Sequence, residues 1–280
     1  MTSLTPTAGT LDVPGARLRY TVLGSGPLLL TIPGGAADGG MFAALAALLA
    51  TDHTVVTYDP RGLSASTVAG PQAAITVADQ ADDALALLDA LGDGPVDVLA
   101  SSGGALTALD LVARHPGRVR TLVAHEPPLV YLLPDADEQA RNGRAVKDVY
   151  SAEGVYPAFA AFLASIGVLP PGAPAPPQEA VASFLPNFDV FLGRMWDAIH
   201  AFRPDVDAVR RSGTRIVVAG GSASVGQPAH RAAAALAELL GVPLRQVPGD
   251  HGGFAQEPEA FAAELRRILA DRGLGTAEAG

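Results

Sequence analysis

A short turn of small residues around Ser102 constrains the fold of this chain more than any other segment. Val96–Gly104 has the sequence V-D-V-L-A-S-S-G-G, and Ala105–His115 follows with a helical pattern. The apolar residues predict a buried strand, so the serine lies between a strand and a helix. Such a turn is strained and needs small residues two positions before and after the serine. We therefore predict that Ser102 Oγ is exposed at a helix N-terminus, with the Gly103 N–H directed at a developing oxyanion.

This turn resembles the nucleophile elbow of the α/β-hydrolase fold family, with Ala100 in place of the usual first glycine. An ordinary glycine-rich turn of a doubly wound protein is the alternative. Ser101 is a rival nucleophile, but only Ser102 has small residues both two positions before and two positions after it.

Alternating strand and helix patterns on both sides of the turn predict the fold class α/β, with a doubly wound, mostly parallel sheet of about eight strands. The alternation stops over 128–204, which is rich in proline and aromatic residues and has helical stretches but no strand pattern. We predict a helical cap over 128–204, inserted into a hydrolase core of residues 1–127 and 205–280. Most of its aromatic side chains should fill the cap's own core, and a few should line an apolar pocket.

Two further turns match the resemblance. Pro33-Gly34-Gly35 follows a buried strand where the family carries its second oxyanion donor, so the resemblance implies that the Gly35 N–H has this role. A plain glycine-rich loop is the alternative. Asp59-Pro60-Arg61-Gly62 looks like the family's D-x-R-G turn, and we interpret its charged side chains as bracing loops.

A serine nucleophile needs a base and a carboxylate that orients the base. His251 lies after the last predicted strand, where the family carries its catalytic histidine. The usual acid position, 220–225, has no carboxylate, and we predict Glu126 instead, which follows the strand after the serine helix, as in haloalkane dehalogenases. Asp250 is a rival candidate for the acid, although its position beside His251 in the chain favours a role in bracing its own loop. Glu126 could instead act as a cap hinge or contact the substrate.

Composition excludes several classes of site and partner. The chain has no cysteine, so disulfides, thiolate metal sites and cysteine nucleophiles are absent. A formal charge of −10 disfavours nucleic acid, and no apolar run is long enough to span a bilayer. The N-terminus lacks the pattern of a secretory signal, which predicts a soluble, cytoplasmic protein.

The predicted activity is hydrolysis of an ester or lactone of a small, largely apolar molecule through an acyl-enzyme, as in carboxylic ester hydrolases (EC 3.1), and a thioester is a less favoured substrate. Gly34, Tyr131, Trp196 and His200 are candidate substrate contacts, and neither a metal nor an organic cofactor is implied. We expect a monomer or homodimer that has a small-molecule substrate and no membrane partner. The alternatives are a carbon–carbon bond hydrolase, an enzyme like cofactor-free haloperoxidases, a non-catalytic ligand-binding protein, and a cap whose aromatic residues face a protein or membrane surface.

Overall fold

One hydrogen-bonded sheet of nine strands, counted over the described residues 5–70, 74–170 and 173–271, organises this computed structural model. The strands are β1 (Thr7–Val13), β2 (Ala16–Gly24), β3 (Leu28–Ile32), β4 (Thr54–Tyr58), β5 (Thr67–Val68), β6 (Val96–Ser101), β7 (Val119–His125), β8 (Arg215–Gly221) and β9 (Arg245–Val247). Their order is β1-β2-β4-β3-β6-β7-β8-β9, and β5 pairs with β2. All pairs from β4 to β9 in this order are parallel, whereas β2 pairs antiparallel with its three neighbours. The predicted fold class is confirmed.

Helices alternate with these strands and cover the sheet. The α-helices are α1 (Ala43–Leu49), α2 (Val77–Leu91), α3 (Gly103–Arg114), α4 (Ala136–Glu153), α5 (Val155–Ser165), α6 (Gln178–Val181), α7 (Leu185–Val190), α8 (Trp196–Ala201), α9 (Val206–Arg211), α10 (Pro228–Leu240), α11 (Gly253–Gln256) and α12 (Pro258–Ala270). Short 3-10 turns precede α1 and α4, and a π-helical turn, Phe191–Met195, joins α7 to α8.

The two faces of the sheet are buried by different helices. A smaller apolar cluster includes side chains of α1, α11 and α12, and a larger cluster includes side chains of α2, α3 and α10. Because both faces are covered, the central strands are mainly apolar, and all six residues of β6 are buried. The parallel strands therefore bring the loops after β3, β6, β7, β8 and β9 to one edge of the sheet.

Local interactions explain several element boundaries. The Thr76 hydroxyl accepts a hydrogen bond from the Asp79 N–H, and the Asp79 carboxylate accepts one from the Thr76 N–H, so that a capping box begins α2. Arg61 makes two hydrogen bonds, of 2.7 and 2.6 Å, to the buried Asp83 carboxylate on α2. Asp59 accepts hydrogen bonds from two backbone N–H groups in neighbouring loops. Asp59 and Arg61 thus brace loops, as the sequence indicated.

Between β7 and β8 the described residues form helices α4 to α9 and no strand. Phe159, Phe162, Phe188, Phe191 and Trp196 pack against each other with ring centroids 5.1–6.0 Å apart. This helical segment lies against the strand-end edge, because its side chains share a cavity with Ser102. The division into core and cap domains stays a prediction. No helix within 5–70, 74–170 or 173–271 has the length and apolarity to cross a bilayer.

Candidate active site

Ser102 lies at the end of β6 in a backbone conformation that non-glycine residues rarely adopt. Its φ is 55° and its ψ −127°, and its N–H donates to the His125 carbonyl at 2.8 Å. A Cβ added to Gly104 would lie 2.4 Å from the Ile32 carbonyl oxygen and 2.5 Å from that of Pro33. The close approach of this helix start to the end of β3 explains the small residue two positions after Ser102.

The backbone N–H groups of Gly35 and Gly103 lie next to each other beside Ser102. A Cβ placed on Gly103 would be 3.2 Å from the Gly35 nitrogen, and both residues line the same cavity as Ser102. In the described part of the chain neither N–H donates to another group. A Cβ on Gly34 would lie 2.4 Å from the Ser101 carbonyl oxygen and 2.7 Å from Ser102 Cβ, so only glycine fits there. The pair of unused donors suits an oxygen that gains negative charge.

Glu126 follows β7 and is completely buried, with a positive φ of 47°. His251 Nδ1 lies 2.6 Å from its Oε2. Its Oε1 accepts hydrogen bonds from the Gly221 N–H at 2.9 Å and from the Ser224 hydroxyl. Both donors come from the end of β8 and the loop that follows, where the sequence has no carboxylate. Each oxygen of the buried Glu126 carboxylate therefore has a hydrogen-bond donor.

Glu126 is ionised over the whole neutral range. Burial by itself raises its pKa, but the hydrogen bond and charge of His251, with further contributions from His125 and Ser224, outweigh this and lower the pKa from 4.5 to about 2. A carboxylate oxygen only accepts, so Nδ1 of His251 carries the hydrogen. This leaves Nε2 of a neutral His251 as the atom that can take a proton.

Ser102 and His251 line one cavity of about 90 Å³ between the sheet edge and the helical segment. In the described residues no direct hydrogen bond joins the Ser102 hydroxyl to the His251 ring. Such contacts are often long in unliganded enzymes and shorten when substrate binds. The larger apolar side chains of the wall include Val130, Phe162, Ile166, Phe191, Trp196 and Ile199.

Ser102 and His251 also line a second cavity. Its wall is also mainly apolar and includes Phe162, Phe184, Phe188 and Phe254. Met41 and Val168 belong to this wall and are 39% and 46% exposed. The second cavity thus connects the serine to the molecular surface along apolar side chains.

The candidate substrate contacts occupy different places. Trp196 and His200 line the cavity of Ser102, and Gly34 lies in the second cavity behind the serine. Tyr131 does not line either of these cavities; it lies in an adjoining groove, with the Arg203 guanidinium 3.8 Å above its ring. Of the rivals, Asp250 accepts a hydrogen bond from the Gly252 N–H at 2.7 Å within its own loop.

Sequence reasoning missed a second layer around the candidate triad. His125 is fully buried, its Nδ1 lies 3.1 Å from Ser101 Oγ, and its ring stacks on that of His251 with centroids 6.0 Å apart. Burial lowers the pKa of His125 to about 4, so the ring is neutral near pH 7. The contact with His125 also gives the buried Ser101 hydroxyl a hydrogen-bond partner. The only sequence signal was the position of His125 next to Glu126.

The described residues contain no group of three or more His, Asp or Glu side chains arranged to hold a metal ion.

Comparison with known proteins relates more than nine-tenths of the chain to hydrolases. Residues 27–160 match the model of the alpha/beta hydrolase fold family. YraK of Bacillus subtilis, an uncharacterized hydrolase, is 34% identical over 267 residues, which cover 93% of this chain and 95% of YraK. A solved hydrolase from Pseudomonas aeruginosa has a TM-score of 0.73 at 25% identity and covers 94% of this chain and 98% of its own. A thermophilic esterase from Thermogutta terrifontis has a TM-score of 0.71 at 20% identity, with 97% and 99% covered.

Proposed function

The chain belongs to the α/β-hydrolase fold family and is a hydrolase of that type, and on this premise we propose that it hydrolyses an ester or lactone of a small, largely apolar molecule. Ser102 is the nucleophile, His251 the general base and Glu126 the acid that orients the base. The observation that carries the proposal is the 2.6 Å contact between the buried Glu126 carboxylate and His251 Nδ1, on the wall of the cavity that contains the strained Ser102.

In the first half of the reaction Ser102 Oγ attacks the carbonyl carbon of the substrate, and its proton moves to His251 Nε2. The carbonyl oxygen becomes an oxyanion that accepts hydrogen bonds from the Gly35 and Gly103 N–H groups. When the tetrahedral intermediate collapses, the bond to the leaving alcohol breaks, and the alcohol takes the proton from Nε2. A serine ester remains.

In the second half water attacks the serine ester and gives its proton to His251 Nε2. Collapse of the second intermediate breaks the bond to Ser102 Oγ, which recovers the proton, and the carboxylic acid leaves. Glu126 stays ionised throughout, because its pKa of about 2 lies far below neutral pH. Its charge stabilises the imidazolium that forms in each half of the reaction.

The two cavities that meet at Ser102 support a substrate with apolar groups on both sides of the bond that breaks. One side lies against Phe191 and Trp196, and the other against Phe184 and Phe188. A carboxylic ester with two apolar parts fits this division.

A non-catalytic ligand-binding protein is the second candidate. The specific observation in its favour is that, among the described residues, Ser102 and His251 form no direct hydrogen bond. Such a protein would bind the same apolar molecules without cleaving them.

The test is intact-mass spectrometry after incubation with a fluorophosphonate. We expect one adduct on the wild type, none on Ser102→Ala, and one on the control Ser101→Ala, which removes the neighbouring hydroxyl. Folding of each variant is checked by circular dichroism. A folded wild type without an adduct would refute the proposal in favour of the ligand-binding protein, and an adduct that survives Ser102→Ala would refute the assignment of the nucleophile.

A further inference from the structure

His200 lies between the cavity of Ser102 and the adjoining groove that contains Tyr131, and its side chain is exposed. His200 Nδ1 lies 2.8 Å from the backbone carbonyl oxygen of Trp196. A carbonyl oxygen only accepts, so Nδ1 carries the hydrogen of the neutral ring, and Nε2 keeps a lone pair. Within the described part of the chain Nε2 has no protein partner.

The surroundings of His200 keep the ring neutral and favour one orientation. Partial removal from water lowers the pKa of His200, and the positive charges of Lys147 and Arg203 add to this, against the opposing effects of the Trp196 carbonyl and Asp197. The ring also lies on Trp196, with centroids 4.2 Å apart and planes inclined by 31°. The hydrogen bond from Nδ1 and the contact with Trp196 both favour the orientation that leaves the lone pair on Nε2.

Gly143 leaves the space beside Nε2 open. It lies inside α4, where glycine destabilises a helix by roughly 0.5–1 kcal/mol relative to alanine. A Cβ at this position would lie 3.4 Å from His200 Nε2 and 3.7 Å from Trp196 Cζ2. A methyl group would thus occupy the place from which a ligand reaches the lone pair. Gly143, His200 and Ser102 all line the same cavity.

We propose that His200 Nε2 accepts a hydrogen bond from the substrate, so that the enzyme selects esters or lactones with a hydroxyl or N–H group on the part that lies against Trp196. This inference rests on the proposed function and specifies its substrate class. A substrate without such a donor covers Nε2 and leaves it unpaired, which weakens its binding.

The test measures binding without turnover, by calorimetry on the Ser102→Ala variant. The ligands are pairs of esters that differ by a hydroxyl or a methyl group at the same position. One set is methyl esters of 4-hydroxyphenyl and 4-methylphenyl alkanoic acids, and the other is acetates of the corresponding alcohols, each with one to three methylene groups. We expect the hydroxyl member of at least one pair to bind about tenfold more tightly, the value of one well-placed hydrogen bond.

Two variants made in the Ser102→Ala background remove the acceptor in different ways. His200→Phe keeps a flat ring on Trp196 without the nitrogen, and Gly143→Ala favours the helix while its methyl group blocks Nε2. In both, the affinity ratio of the pair should fall to about one, with the melting temperature showing that the variant is folded. Equal affinities in every pair, no binding of any pair, or a ratio unchanged in His200→Phe would overturn the inference. Fluorophosphonate labelling of the wild type tests the proposed function separately, because labelling without a hydroxyl preference refutes only the role of His200.

Discussion

Replacing Glu126 by glutamine tests both the chemistry and the electrostatics of the site. In the wild type the carboxylate accepts hydrogen bonds from His251, Gly221 and Ser224. The glutamine carbonyl oxygen can still accept from Gly221 and Ser224, so its NH2 group faces His251 Nδ1. An amide NH2 only donates, which forces the hydrogen of the neutral ring onto Nε2. His251 then cannot take the proton of Ser102.

We expect kcat on a reactive ester to fall by about 10³–10⁴-fold in Glu126→Gln, the effect of a wrong histidine tautomer in serine hydrolases. The matched control is Asp250→Asn, which changes the carboxylate next to His251 in the chain. Within the described residues the Asp250 carboxylate accepts a hydrogen bond only from the Gly252 N–H of its own loop, so its replacement should leave kcat within about threefold of the wild type. A large loss in Asp250→Asn together with a small loss in Glu126→Gln would refute the assignment of the acid.

Glu126→Gln should also change how the free energy of unfolding depends on pH in acid. The folded-state pKa of Glu126, about 2, lies below its ordinary value of 4.5, and this difference corresponds to about 3 kcal/mol of stability above pH 5. That stability is lost as the pH falls from 4.5 towards 2, and about 2 kcal/mol of it disappears between pH 6 and pH 3. Glu126→Gln lacks the titrating group, so its unfolding free energy should fall by about 2 kcal/mol less over this interval.

Urea denaturation at several pH values measures this difference, with fluorescence of the single tryptophan, Trp196, as the signal. Wild type and variant with the same pH dependence of unfolding would show that the Glu126 pKa is not lowered in the folded state. The electrostatic reasoning would then fail even if kcat falls.

Three further variants test other parts of the structure. Gly104→Ala should lower the unfolding free energy by about 1–3 kcal/mol in thermal or urea denaturation, because the new Cβ would lie 2.4 and 2.5 Å from two backbone oxygens. The control is Gly92→Ala, whose Cβ has no atom within 4 Å, and equal stabilities of the two variants would contradict this reasoning. Arg61→Met removes the partner of the buried Asp83 and should cost about 3–5 kcal/mol, so a loss below about 1 kcal/mol would disprove the role of the pair. Ser224→Ala removes one donor to the buried triad carboxylate and should lower kcat about tenfold with little change in KM; an effect on KM alone would count against it.

Local sequence patterns predicted the elements that carry the site. The small residues around Ser102 mark a strand, a turn and a helix that follow one another in the chain, and all three form where they were expected. Gly104 could be assigned to the turn from the motif alone, although the backbone oxygens that exclude a larger residue there belong to Ile32 and Pro33. Patterns of this kind indicate fold and candidate nucleophile without a structure.

Contacts between distant segments could not be predicted. The Ser224 hydroxyl and the Gly221 N–H meet Glu126 across 98 and 95 positions of the chain, and neither residue type signals such a role. The stacking of His125 on His251 and the space left by Gly143 beside His200 depend on how separate elements pack. The strand count also differed, nine against about eight, because β5 is a two-residue edge pairing with almost no sequence pattern.

The donors that hold Glu126 have a consequence for how such a triad changes during evolution. Ser224 follows β8 and already touches the Glu126 carboxylate, so the ends of β7 and β8 share the space beside His251 Nδ1. The resemblance noted above puts the usual carboxylate of the family in the loop after β8. A carboxylate carried by either strand end can therefore reach the same place beside His251 Nδ1, while the serine and the histidine keep theirs. The reaction depends on where the carboxylate lies relative to His251 Nδ1, and not on which of the two strands carries it.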